Sequence, residues 1–256
     1  MSETEAPEEI ADVCLVTEGT YPFVRGGVSS WIHGIITGMP DVKFALVLIS
    51  AERKPAKLAF ELPKNLIKFT EVFIHEAVIH DEPRPGKKKL HGPFWQSVKD
   101  FHTAPDRSSQ ILPFLNVLTG LVDPTRRVVN THDVLFSRDA WDYLVERYEA
   151  RAGDTSFIDF VWTWRAIHTP IMQLLNADVP PARCYHLVST GYAGLVGVLA
   201  RFHYRRPVLL TEHGIYVRER KIDIARAAWI YEEPLRVKTV QREVGVLKQL
   251  WTNFFV

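Results

Sequence analysis

The sequence predicts an α/β fold: a Rossmann-like, doubly wound, mostly parallel sheet with helices on both faces. Three observations predict it. Val13-Cys14-Leu15-Val16 and Phe44 to Ile49 are short continuous apolar runs, which suit strands buried on both faces. The stretch between them has helical spacing. The same strand, helix, strand order then returns between Cys184 and Thr211, and a second βαβ unit in one chain extends the same sheet.

The elements follow in chain order. Val28, Trp31, Ile32, Ile35, Ile36 and Met39 recur at helical spacing, and the helix is expected to end near Gly38 and Pro40. Leu66 to Ile74 reads as a third strand, and Asp81 to Pro93, with its prolines, glycines and Lys87-Lys88-Lys89, as an exposed loop. A helical insertion is expected around 94–176, broken at Pro105, Pro113 and Pro124. Within it, Ser156 and Asp159 give a capping pattern for a helix running through Phe157, Phe160, Val161, Trp164, Ile167, Ile171, Leu174 and Leu175, with a kink at Pro170. Trp162 and Trp164 on this helix read as core rather than as a ligand platform.

Cys184 to Val188 then reads as a strand, Gly191 to Phe202 as a helix of small and apolar residues, and Val208 to Thr211 as a further buried strand. After Pro234, a helical pattern runs through Val237, Val240, Val244, Leu247, Leu250 and Trp251. The chain is expected to organise as a flexible acidic leader over 1–11 and a single domain over 12–256.

Composition narrows the function. The 256 residues carry 31 Lys+Arg against 30 Asp+Glu, a net charge of +1, which lacks the basic footprint of a phosphate-reading nucleic-acid binder. A 46% hydrophobic content supports a sizeable core and excludes disorder of the whole chain. No stretch is long and apolar enough for a membrane span, and the acidic start is no secretory leader, so a cytoplasmic location is expected. Cys14 and Cys184 lack CxxC spacing and read as reduced, packed thiols.

In open α/β sheets, ligands sit beyond the carboxyl ends of the strands, which singles out the loops after Val16, Val188 and Leu210. The first, Glu18-Gly19-Thr20-Tyr21-Pro22-Phe23-Val24-Arg25-Gly26-Gly27-Val28-Ser29, places paired glycines directly before a helix. Open backbone N–H groups at a helix N-terminus form an anion cradle, although paired glycines also serve simply as a turn. The second loop, Ser189-Thr190-Gly191-Tyr192, offers hydroxyls that act equally as rim groups or as ordinary helix caps. The third, Thr211-Glu212-His213-Gly214-Ile215-Tyr216-Val217-Arg218-Glu219-Arg220-Lys221, concentrates a carboxylate, an imidazole, a phenol and cations. There His213 is a candidate hydrogen-bonding or proton-carrying group, or else a structural histidine.

Other chemistries fail on spacing. His75-Glu76-Ala77-Val78-Ile79-His80 has one residue too many for HExxH, Ser29 and Ser189 lack the GxSxG elbow, and there is no Asp-x-Asp to hold a metal on a nucleotide. Glu52 sits roughly where a dehydrogenase places its ribose-binding carboxylate, but the first loop is about ten residues too long for a dinucleotide turn.

Taken together, Glu18 to Trp31, Ser189 to Gly194 and Thr211 to Asp223 strongly resemble the N-terminal region of PelF-type glycosyltransferases, which are retaining, GT-B, family 4 enzymes. The resemblance implies the N-terminal, acceptor-side half of such an enzyme, acting in exopolysaccharide biosynthesis with a UDP-sugar co-substrate, a growing polysaccharide acceptor, no metal and no other cofactor. It implies that Gly26, Gly27, Val28 and Ser29 meet the donor diphosphate and that His213 and Glu212 are catalytic. Glu18, Thr20, Tyr21, Arg25, Ser189, Thr190, Gly191, Tyr192, Tyr216, Arg218 and Lys221 would line the acceptor rim. The family's C-terminal pair of glutamates, separated by seven residues, has no counterpart in this sequence. The chain alone is therefore expected to be inactive, with the missing C-terminal domain as its partner and a peripheral place at the inner membrane face. The alternative is a sugar-binding or assembly module that docks on membrane components of a polysaccharide synthase.

Overall fold

The computed structural model describes residues 9–51, 53, 57–75, 92–152, 155–227, 230 and 246–255. The chain divides into two compact units, one comprising Met1–His80 and Gln173–His213, the other Asp81–Met172 and Gly214–Val256.

The first unit is the sheet. Strands β1 (Ala11–Glu18), β2 (Phe44–Ser50), β3 (Leu66–Phe73), β4 (Ala182–Leu187) and β5 (Val208–Leu210) pair in the order β3-β2-β1-β4-β5. Every pairing is parallel, with Val13 opposite Phe44 and Cys184. The expected doubly wound α/β sheet is therefore present. The strand order reverses between β1 and β4, and at such a switch point the following helices lie on opposite faces and leave a crevice at the carboxyl edge.

The apolar runs of β1 and β2 are buried as predicted. Helix α1 (Gly27–Gly38) sets Ile32 and Ile36, one turn apart, into a cluster with Leu15, Tyr21, Phe44, Leu46 and Val188. Its end is closed from outside: the Asn65 side-chain amide donates to the carbonyls of Ile36, Met39 and Val42 at 2.9–3.0 Å. In α7 (Tyr192–Tyr204), Gly197 permits close approach to β4, since a Cβ there would lie 2.6 Å from Leu187 Cδ1. Cys14 and Cys184 are free thiols, and burial pushes the Cys14 thiol up to about 12.

One strand differs from expectation. Val208, Leu209 and Leu210 are all exposed rather than buried, because β5 is the outer strand of the described sheet and pairs only with β4. Continuous apolar character marks a strand but does not say whether both of its faces are covered.

The second unit contains α2 (Gly92–Thr103), α3 (Arg107–Val122), α4 (Thr131–Phe136), α5 (Arg138–Arg151), most of α6 (Phe157–Leu175), α8 (Tyr216–Arg226) and α9 (Val246–Phe255). The expected helical insertion is thus present. Asp106, Asn130 and Ser137 each accept a backbone N–H at the start of α3, α4 and α5, and Ser156 Oγ accepts from Asp159 N as predicted.

Two expectations within this unit are corrected. Pro113 does not break the chain: α3 starts after Pro105, stops before Pro124 and runs through Pro113. An interior proline costs about 3 kcal/mol, and burial of Leu118, Leu121 and Val122 further along α3 offsets it. Trp162 is 63% exposed, whereas Trp164 packs against the cluster of Leu144, Phe160, Ile224 and Leu247. The apolar stripe is narrower than the run of aromatics suggested. The acidic leader up to residue 8, the Lys87-Lys88-Lys89 loop, the spacing from Glu76 to His80, Glu52 and the helical pattern from Val237 to Val244 lie outside the described residues.

Candidate functional site

The start of α1 is unusual in what it lacks. Gly26 caps the helix with extended backbone (φ −174°, ψ 175°) and no side chain bonds the first turn, which contains no acidic residue. Neither Gly26 nor Gly27 has a left-handed φ; among the described glycines only Gly19, in the turn that leaves β1, has one, at 74°. A Cβ at Gly26 or Gly27 would meet nothing within 4 Å. Backbone conformation and packing therefore leave this glycine pair unexplained, while close approach of a ligand to bare N–H groups would account for it.

Two hydroxyls sharpen the point. Ser29 Oγ, in the first turn of α1, and Thr17 Oγ1, near the end of β1, are buried without a hydrogen-bond partner among the described residues. Native proteins rarely leave such groups unsatisfied, and functional sites are among the exceptions.

The third loop comes back to α1. His213 lies edge-on to the Trp31 ring with centroids 4.9 Å apart, and Trp31 also meets His186 of β4 edge-on at 5.8 Å. His186 Nε2 shares a 2.7 Å hydrogen bond with Thr211 Oγ1. Burial first, and then the nearby charge of His213, lowers the pKa of His186. Thus α1, β4 and the segment after β5 converge on one aromatic and imidazole cluster within the first unit.

Glu18 takes a role that the spacing did not suggest. Its Oε1 accepts from Ser189 Oγ at 2.6 Å and from Ala193 N at 2.9 Å, joining β1 to the start of α7. The carboxylate fills the position an external anion would take there.

The remaining expected residues separate by burial. Tyr21 was expected on the rim, but it is fully buried and its hydroxyl lies 3.2 Å from His33 Nδ1, so it supports the loop from beneath. Val28 is partly buried against the core. Thr20 and Arg25 are exposed, with Arg25 over the Phe60 ring at 5.7 Å. Thr190, Gly191 and Tyr192 are half-buried at the α7 start, and Glu212 is exposed beside His213.

Tyr216, Arg218 and Lys221 lie on α8 of the second unit, where Tyr216 Oη accepts from the Arg220 guanidinium at 3.1 Å. Trp31 and His186 were not anticipated as site residues. Each sits inside an apolar stretch that reads as core, and the sequence signal was only that an aromatic and an imidazole end up near the carboxyl edge.

Residues 11–256 match the family described as Domain of unknown function (DUF3492). The chain belongs to this family. The match spans both units of the DUF3492 chain. No curated protein and no solved structure matches it. Among the described residues no helix is long and apolar enough to cross a membrane.

Proposed function

We propose that this DUF3492 chain is the acceptor-side, N-terminal half of a retaining, nucleotide-sugar-dependent glycosyltransferase of GT-B architecture, similar to PelF, with a UDP-sugar as donor and a growing polysaccharide as acceptor. The observation that carries this reading is the Trp31–His213 contact, which sets the histidine of the third loop against the first turns of the uncapped, glycine-led helix.

In this reading the N–H groups of Gly27, Val28 and Ser29 receive the donor diphosphate, where the helix dipole and unpaired donors favour negative charge. When the bond between the anomeric carbon and the phosphate oxygen breaks, its electron pair goes to the diphosphate. Preorganised N–H groups stabilise that developing charge without rearrangement. The acceptor hydroxyl then bonds to the anomeric carbon on the same face, and its proton goes to the departing diphosphate. His213 contacts the transferred sugar, held by the edge of Trp31, and the His186–Thr211 hydrogen bond supports it from β4.

The test is calorimetric titration of UDP and a UDP-sugar into the 256-residue chain, alone and mixed with a separately expressed donor-binding domain, with transfer assayed in both. Expected are weak binding and no transfer by the chain alone, and transfer in the mixture that His213→Ala reduces at least a hundredfold. Sugar transfer by the purified chain alone would overturn the half-enzyme reading.

A second reading, an assembly module that docks on membrane components of a synthase, draws support from Ile158 and Trp162. These residues, four positions apart on α6, are both more than 60% exposed. Transfer in the mixture that persists after Ile158→Glu with Trp162→Glu would separate the two readings.

A further inference from the structure

The second unit contains a set of buried donors with nothing to donate to. Helices α2 and α5 meet there through aromatic side chains. Trp95 and His102, two turns apart on one face of α2, both pack against Tyr143 of α5, with ring centroids 6.1 Å and 5.8 Å from it. Lys99, on the same face of α2, places its ammonium 5.8 Å from the Tyr143 ring. Arg147 follows Tyr143 by one turn on α5, and its charge acts on both Tyr143 and His102.

Three of these groups are buried and unsatisfied. Tyr143 Oη and Trp95 Nε1 belong to residues 4% and 8% exposed, and neither has a hydrogen-bond partner among the described residues. Arg147 is 9% exposed, and it forms no ion pair or hydrogen bond with another described residue. An unsatisfied buried donor destabilises a fold, and an unpaired buried cation does so more strongly.

The surrounding charges leave one positive charge uncompensated. Glu146 acts on Tyr143, but its Oε2 accepts from Lys99 Nζ at 2.5 Å, so those two charges cancel. Arg151, one turn past Arg147, also acts on Tyr143 and is exposed to solvent. His102 is engaged at both nitrogens, Nδ1 with the Val98 carbonyl at 2.8 Å and Nε2 with His168 Nε2 at 3.1 Å. Burial holds His102 down to about 3 and His168 down to about 4, so neither ring is charged at neutral pH. Burial also pushes the Tyr143 hydroxyl up to about 12, so it keeps its proton and remains a donor.

The occupant follows from that inventory. It carries one negative charge, to match the single unpaired guanidinium, and it only accepts, because the set contains only donors. It is also small, since Tyr143 Oη and Trp95 Nε1 are closed to solvent. Water supplies no charge, and a protonated oxyanion such as hydrogen phosphate brings a donor for which the set has no acceptor. A halide ion has all three properties. We propose that Arg147, Tyr143 and Trp95 form a binding site for one chloride ion, which ties α2 to α5 by accepting from the guanidinium, the phenol hydroxyl and the indole N–H. An ion held only by the folded unit stabilises it by mass action, so stability follows chloride itself rather than ionic strength.

The experiment follows thermal unfolding of the 256-residue chain at constant ionic strength while sodium gluconate is replaced by NaCl or NaBr. Gluconate has the same charge but is too large for a site closed to solvent. Expected is a saturating rise in Tm with either halide, reaching about 5 °C at a hundredfold excess over Kd. Crystals grown with NaBr should show a bromide anomalous signal among Arg147, Tyr143 and Trp95. Arg147→Met removes the unpaired charge and keeps an apolar stem, so it should match or exceed the wild-type Tm in gluconate and show no halide response. Tyr143→Phe removes one donor and should raise the chloride midpoint about tenfold. If Arg147→Met fails to fold, the Tyr143→Phe midpoint decides. Equal Tm in chloride and gluconate would overturn the proposal, as would a halide response that persists in Arg147→Met, a midpoint unmoved in Tyr143→Phe, or a bromide signal confined to other places. None of these outcomes depends on the sugar-transfer reading.

Discussion

Helices α1 and α7 begin alike and end up electrostatically opposite. Each follows one of the two neighbouring strands, β1 and β4, between which the sheet order reverses, and each is led by a glycine that contributes no capping side chain. At α7 the Glu18 carboxylate accepts from Ala193 N and Ser189 Oγ, so the protein supplies its own anion. At α1, among the described residues, no side chain caps the first turn, a Cβ at Gly26 or Gly27 would meet nothing within 4 Å, and Ser29 Oγ has no hydrogen-bond partner. A helix N-terminus stabilises about half a unit of negative charge. α7 has spent that capacity on Glu18, and α1 is the start that the proposed function assigns to the donor phosphate.

The largest effect should come from breaking the closed end. Glu18→Ala leaves Ser189 and the α7 start without their acceptor, and a loss of about 2 kcal/mol is expected in urea unfolding, partly recovered in Glu18→Gln. Sulfate should then stabilise the variant more than the wild type. Equal stability of variant and wild type would mean that Glu18 does not close α7.

At the open end the effects should fall on binding rather than on folding. Gly27→Ala meets no neighbour, so stability should shift by less than about 1 kcal/mol, while affinity for a nucleotide sugar falls about tenfold or more. Unchanged affinity, measured by calorimetry with the donor-binding domain present, would remove the phosphate from this loop. Smaller still, Ser29→Ala should be within about 0.5 kcal/mol of neutral or slightly stabilising, since it deletes a buried hydroxyl with no partner among the described residues. A clear destabilisation would reveal a partner for that oxygen.

The smallest expected effect is the pH response of the nearby cluster. His186 has a lowered folded pKa, so it binds its proton less readily folded than unfolded. Its contribution is complete above the unfolded value of about 6.5 and is lost as pH falls from there through the lowered folded value. Tm measured between pH 8 and pH 5 should therefore drop slightly more for the wild type than for His186→Gln. Parallel curves would place His186 in an ordinary solvated setting.

Much of this architecture was legible from the chain. Apolar runs without alternation marked β1 and β2, the spacing from Val28 to Ile36 marked α1, and Ser156 marked the start of α6. Local signals misled where their outcome depends on distant neighbours. Val208 to Leu210 look like a buried strand yet are exposed, Trp162 points away from the core stripe, and Pro113 is carried through by the packing of α3. The glycine pair and His213 were singled out because loops after parallel strands gather at one edge. Glu18 was assigned to the rim and turned out to cap α7, since hydrogen bonds between residues 171 and 175 positions apart leave no trace in spacing.

The sequence by itself determined the alternation of strands and helices, and hence a parallel sheet with the glycine-led and histidine-bearing loops at its carboxyl edge, because periodicity and capping act over a few residues. Only the tertiary structure decided which helix start stays open, that Trp31 and His186 flank His213, and that His102 meets His168 nitrogen to nitrogen. Those outcomes depend on which groups share a desolvated space, and packing brings such groups together from distant parts of the chain.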